Sequence, residues 1–169
     1  GKKLLMALTG LCFLGFLGVH LAGNFTLYGG KHLFNAYAEH LHALGPLVTL
    51  AGWVLLILAL IHVLTGGTLF IQNLTARPSR YQASTSAGGK TLGSSTMPYT
   101  GILILVFVVI HLIQFHFVDK TNTTIYDIVT GTFSKPLFAG FYVLMMAVVG
   151  LHVSHGFWSA FQTLGVNHP

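Results

Sequence analysis

Acidic side chains are almost missing from this chain. Only Glu39, Asp119 and Asp127 stand among its 169 residues, and none falls inside an apolar run. A proton or ion pathway through a membrane more often shows buried Asp or Glu, so that reading lacks its usual mark. Cysteine is nearly absent too. The lone Cys12 excludes an intrachain disulfide and a cysteine-based zinc or iron–sulfur site. Charge of both signs is scarce, at 7% of residues against about 25% in a globular domain, which excludes a soluble fold. Eight basic residues are too few for a nucleic-acid footprint.

Long apolar runs take the place of charge. Hydrophobic residues make up 53% of the chain, and the mean hydropathy of +0.75 puts most of it in lipid. Charge-free runs occupy 4–30, 41–76, 91–118 and 136–169. Each exceeds the roughly 20 residues that cross a bilayer as a helix. The first is too long for the apolar part of a cleavable signal peptide. The chain opens with Gly1 and stops at Pro169, and both ends are expected to be trimmed. Gly45-Pro46, Met97-Pro98 and Lys135-Pro136 place proline where a first helical turn tolerates it, with Thr96 and Ser134 as N-caps. The expectation is an all-α, polytopic transmembrane helix bundle, one domain over 1–169, with spans at 4–28, 46–74, 98–118 and 136–164. Residues 83–95 read as a polar, glycine-rich stretch of a mobile loop covering 77–97.

Basic residues set the expected orientation. Lys2, Lys3, Arg77, Arg80 and Lys90 fall on one side of the bundle. Lys31, Lys120 and Lys135 fall on the other, together with all three acids. The positive-inside rule then puts the N-terminus and the 77–90 loop in the cytoplasm.

Each span carries a histidine: His20, His62, His111 and His152. An imidazole in hydrocarbon costs free energy unless something binds it, which makes each a functional candidate. At about 1.5 Å of rise per residue, His20 and His111 lie past the middle of their spans toward the outside. His62 and His152 lie past the middle toward the cytoplasm. Histidines facing each other from neighbouring helices at two depths are what bis-histidine haem ligation requires, one imidazole nitrogen on each side of the iron. Gly23, Gly66 and Gly156 sit one turn after His20, His62 and His152, where a porphyrin can lie against backbone or helices can simply pack. His155, one turn from His152, is a candidate propionate partner or replacement ligand. Zinc prefers several ligands at one level, whereas this chain offers pairs. Ferric-reductase-like cytochromes carry both ligands of two haems on two helices, a wide spacing found in no run here. Unrelated packing histidines remain the alternative. His116 lies near the outer end of the third span. His32, His40 and His42 fall with Glu39 in an expected outer loop, 31–45, either simply solvated or carrying protons to a quinone.

The segment Gly150-Leu-His152-Val-Ser-His155-Gly-Phe-Trp158-Ser-Ala-Phe-Gln-Thr-Leu-Gly165-Val-Asn-His-Pro169 carries a family resemblance. Met6-Ala-Leu-Thr-Gly10, Val19-His20-Leu-Ala-Gly-Asn24, Phe34-Asn-Ala-Tyr37, Ala76-Arg-Pro-x-Arg80-Tyr81 and Ser95-Thr-Met-Pro98 extend it along the chain. The ordered set resembles the cytochrome b558 subunit of succinate dehydrogenase and fumarate reductase, a single-chain dihaem membrane anchor. The resemblance implies two haem b groups stacked between helices, one held by His62 and His152 on the cytoplasmic side and one by His20 and His111 on the outer side. It implies a flavoprotein subunit with covalent FAD and an iron–sulfur subunit, docked on the cytoplasmic face near Arg77, Arg80 and Lys90. Electrons would then run to menaquinone near the outer face of a bacterial cytoplasmic membrane. The chain itself would be a non-catalytic electron-transfer subunit. Members of the family have five spans, and four are visible here. The alternatives are a haem b anchor of another quinone-linked enzyme, such as a hydrogenase or formate dehydrogenase, and a haem-free transporter or structural anchor.

Overall fold

Helices dominate a computed structural model of the chain, which describes residues 1–76 and 92–166. In chain order they are α1 (Lys2–Phe25), α2 (Gly30–Ala43), α3 (Pro46–Thr75), α4 (Leu92–His111), α5 (Ile125–Phe133) and α6 (Pro136–Thr163). A 3₁₀ turn, Thr26–Gly29, links α1 to α2, and a π turn, Leu112–His116, continues α4. Among the described residues, four helical segments are long and apolar enough to cross a membrane: Lys2–Ala43, Pro46–Thr75, Ser95–His116 and Pro136–Thr163. A helix is suited to lipid because it satisfies its backbone N–H and C=O groups internally. The outward surface is correspondingly apolar: Leu137, Val143 and Leu64 are 81%, 72% and 68% exposed. This is a multi-pass membrane protein.

The spanning helices pack chiefly as α4 on α6, α1 on α6 and α1 on α3, with a smaller contact between α3 and α4. At one end of the bundle α2 lies against α5. Lys31 of α2 donates to both carboxylate oxygens of Asp127 of α5, at 2.9 and 2.7 Å. The Tyr126 N–H donates to Asn35 Oδ1 beside this pair. Both α1 and α4 run toward that end, and α3 and α6 run away from it.

Local chemistry explains most helix ends. Gly45 takes φ +51°, a backbone that L side chains avoid, and Pro46 opens α3. Thr124 caps α5: its hydroxyl donates to Asp127 Oδ2 at 2.7 Å and accepts from the Asp127 N–H at 3.3 Å.

Four expectations need correction. The supposed outer loop 31–45 is mostly helix α2, which runs to Ala43. Pro98 lies inside α4 rather than in its first turn, because the helix already begins at Leu92. The loop expected over 77–97 therefore ends earlier; Arg77, Arg80, Lys90 and the rest of 77–91 lie outside the described residues, as does His168. Ser134 does not cap α6: Lys135 holds the N-cap position with no side-chain bond, and Ser134 Oγ donates back to Gly131 O at 2.9 Å.

Candidate cofactor site

Two histidines meet across the bundle at the level nearer α2 and α5. His20 of α1 and His111 of α4 have ring centroids 5.9 Å apart, edge to face. Phe16 stacks on His20 at 5.4 Å, and Phe107 lies 5.9 Å from His111, each one turn before its histidine. His111 Nδ1 is buried and has no hydrogen-bond partner. Around it, Phe107, Phe115 and Tyr142 form an aromatic wall, with Tyr142 Oη donating to Gln114 Oε1 at 2.6 Å. The π turn begins directly after His111, closed by the Phe117 N–H on Leu112 O at 2.9 Å. Such turns are frequent at functional positions.

The second level lies about three helical turns away, roughly 16 Å along α1 and α4. Here stand His62 of α3 and His152 of α6, with His155 one turn beyond His152. Each principal ring meets a threonine. His62 Nδ1 lies 2.9 Å from Thr9 Oγ1 of α1, and His152 Nδ1 lies 3.0 Å from Thr100 Oγ1 of α4. Both threonines are buried. The residue after each is a glycine packed on the same ring: a Cβ on Gly10 would stand 3.6 Å from His62 Cε1, and one on Gly101 3.5 Å from His152 Cε1.

Of the four expected histidines, His20 and His111 are brought ring to ring, whereas His62 and His152 each meet a threonine of another helix. The glycines do not all serve as expected. A Cβ on Gly23 would collide with the Tyr37 ring and one on Gly66 would stand 2.8 Å from the Met6 methyl, so these two admit neighbouring side chains, whereas one on Gly156 would meet the Met97 methyl only at 4.0 Å. His116 is exposed, with its ring against Phe117 at 4.7 Å. His40 and His42 donate from Nδ1 to Ala36 O and Ala38 O, each at 2.7 Å. His32 and Glu39 line an open hollow of about 480 Å³ with Lys31, Asn35 and Ala36.

Thr9, Thr100, Gly10 and Gly101 escape a histidine-centred reading, although a repeat in the sequence marks them. Met-x2-Thr-Gly-x5-Phe-x3-His occurs at Met6–His20 and again at Met97–His111. Pro-Leu-x14-His-Val-x2-Gly-x5-Gln occurs at Pro46–Gln72 and again at Pro136–Gln162. One pattern is shared by α1 and α4 and the other by α3 and α6, so His20 matches His111 and His62 matches His152 in position.

The His20–His111 pair fits a bis-imidazole metal centre. Metal–imidazole bonds of about 2 Å put the centroids of two opposed rings roughly 6 Å apart, close to the His20–His111 separation. Among the described residues no three His, Cys, Asp or Glu side chains assemble into a larger ligand group. Comparison with family models, curated proteins and solved structures gives no significant match.

Proposed function

We propose that this chain is a dihaem b membrane anchor that carries electrons between a soluble dehydrogenase and membrane quinone. His20 and His111 hold one haem, and His62 and His152 hold the other. A single observation carries this reading: two histidine pairs at two levels, each built from equivalent positions of an internal repeat. Unrelated packing histidines have no reason to recur at matching positions, with His20 and His111 ring to ring and His62 and His152 each on an equivalent threonine. Haem, when bound, supplies one-electron redox chemistry that no side chain here possesses. The chain's own work is to orient two imidazoles at each level, exclude water with Phe16, Phe107, Phe115 and Tyr142, and hold the levels apart on continuous helices.

The sequence resemblance narrows the proposal to the succinate dehydrogenase and fumarate reductase type. In that reading a flavoprotein with FAD and an iron–sulfur subunit dock on the cytoplasmic face, at the end of the bundle opposite α2 and α5. Menaquinone or another quinone reacts near the outer face, and the N-terminus is cytoplasmic in a bacterial inner membrane.

The test is a pyridine haemochrome assay with protein quantitation on the purified full chain, together with identification of co-purifying subunits. Two haems b per chain with a flavoprotein and an iron–sulfur protein are expected. A hydrogenase or formate dehydrogenase partner would keep the haems and reassign the complex. A folded preparation that takes up no haem would discard the redox reading in favour of a transporter or structural anchor.

A further inference from the structure

The threonines beside His62 and His152 have a specific hydrogen-bond arrangement. Thr9 Oγ1 lies 2.8 Å from Leu5 O and 3.2 Å from Met6 O, as well as 2.9 Å from His62 Nδ1. A hydroxyl has one proton, and a carbonyl oxygen can only accept. The short contact to Leu5 O therefore takes the Thr9 proton, leaving an oxygen lone pair toward the imidazole. That lone pair needs a donor, so His62 Nδ1 carries the hydrogen. Thr100 repeats the pattern: its Oγ1 shares its proton between Thr96 O and Met97 O, both at 3.1 Å, and faces His152 Nδ1 at 3.0 Å. No described residue hydrogen-bonds the Nε2 of either ring.

We propose that Thr9 and Thr100 are positioning residues that hold His62 and His152 in the Nδ1–H tautomer and present Nε2 as the free lone pair. A neutral imidazole binds a metal through its unprotonated nitrogen, and the partner of the other nitrogen selects the tautomer and fixes ring orientation. Here a helix supplies that partner through a hydroxyl that donates to its own backbone. Gly10 and Gly101 lie beside the rings, where an added Cβ would make only an ordinary contact. Recurrence in both copies of the repeat argues against chance packing: the threonine and its histidine stand 53 residues apart in one copy and 52 in the other. Among the described residues His20 and His111 have no such threonine partner, so the two levels are held by different means. The ligand role of Nε2 rests on the haem reading, whereas the tautomer does not.

Solid-state ¹⁵N NMR of the full chain in lipid, with any iron reduced, reads the tautomer directly. Nδ1 of His62 and His152 is expected to bear the proton, whether or not haem is present. An unprotonated Nδ1 at either residue overturns the assignment. If wild-type protein proves haem-free, the haem reading fails while this measurement still decides the tautomer. For the haem-loaded protein, Thr9→Val and Thr100→Val keep the side-chain shape and remove the acceptor, whereas Thr9→Ser and Thr100→Ser keep the acceptor. The valine variants are expected to retain the haem between His62 and His152 about 10- to 100-fold more weakly, with the serine variants close to wild type. The haem at the other level should be retained by all four, which serves as the internal check on folding. Valine variants that bind as tightly as wild type, or serine variants weaker than valine, would show that packing and not the hydroxyl matters.

Discussion

His20 and His111 face each other at 5.9 Å from two helices that carry the same residue pattern. The pair is one of two, and the levels are separable by mutation. His111→Ala and His62→Ala should each reduce haem content from two per chain to one, with the two variants losing haems of different midpoint potential. Redox titration of the remaining haem checks this. Loss of both haems from each variant, in protein that still folds, would contradict two independent sites.

Gly101 tests how tightly the His152 ring is seated. A Cβ there would meet His152 Cε1 at 3.5 Å, an ordinary contact, so Gly101→Ala should be tolerated. Gly101→Val adds branched carbons on the ring side and should overpack the site by about 1–3 kcal/mol. Unfolding in mixed detergent, compared for the two variants, measures the difference. Equal stability for alanine and valine would mean the ring has room to retreat.

Tyr142 offers a measure of polar bonding inside the bundle. Its hydroxyl donates to Gln114 Oε1 at 2.6 Å, beside the π turn that follows His111. Hydrogen bonds between membrane helices are worth about 0.6 kcal/mol on average and roughly 1.7 at most. Tyr142→Phe should therefore destabilise by that modest amount and leave the aromatic wall standing. A double-mutant cycle with Gln114→Ala should recover a coupling of the same size.

Outside the membrane, the Lys31–Asp127 pair ties α2 to α5. The Lys31 ammonium, followed by the Thr124 hydroxyl, holds the Asp127 carboxyl below its ordinary range of about 3.9. A depressed folded value means the ionised form supports the fold. Its contribution is thus present above the ordinary value and is lost as pH falls through the depressed one. Carboxyl NMR should find Asp127 titrating below about 3.9, and Lys31→Met should raise its midpoint. A normal midpoint in the wild-type protein would indicate that the pair does not form in solution.

Much of this arrangement was legible from residue types. Four apolar runs matched four spanning helices because lipid demands length and the absence of charge, and both are plain in a sequence. Depth along each helix anticipated that His20 and His111 would meet. Helix α2 was missed because its histidines, Lys31 and Glu39 resemble a solvated loop when only hydropathy is read, although an amphipathic helix at a membrane surface has the same composition. Thr9 and Thr100 were missed because a threonine in an apolar run is unremarkable by itself. Only the second copy of Thr-Gly, set at the same distance from a second histidine, distinguishes it.

Composition and spacing alone determined that the chain is a helical membrane protein with two matched sets of histidines within its apolar spans. These are properties of each helix taken singly, set by the cost of charge in hydrocarbon and the fixed rise of an α-helix. Tertiary structure decided which atoms those histidines meet. Whether Thr9 Oγ1 or a lipid chain stands against His62 Nδ1 depends on how α1 and α3 are rotated and packed. Small residues and close van der Waals fit set that rotation between helices in lipid, and no single helix contains that information.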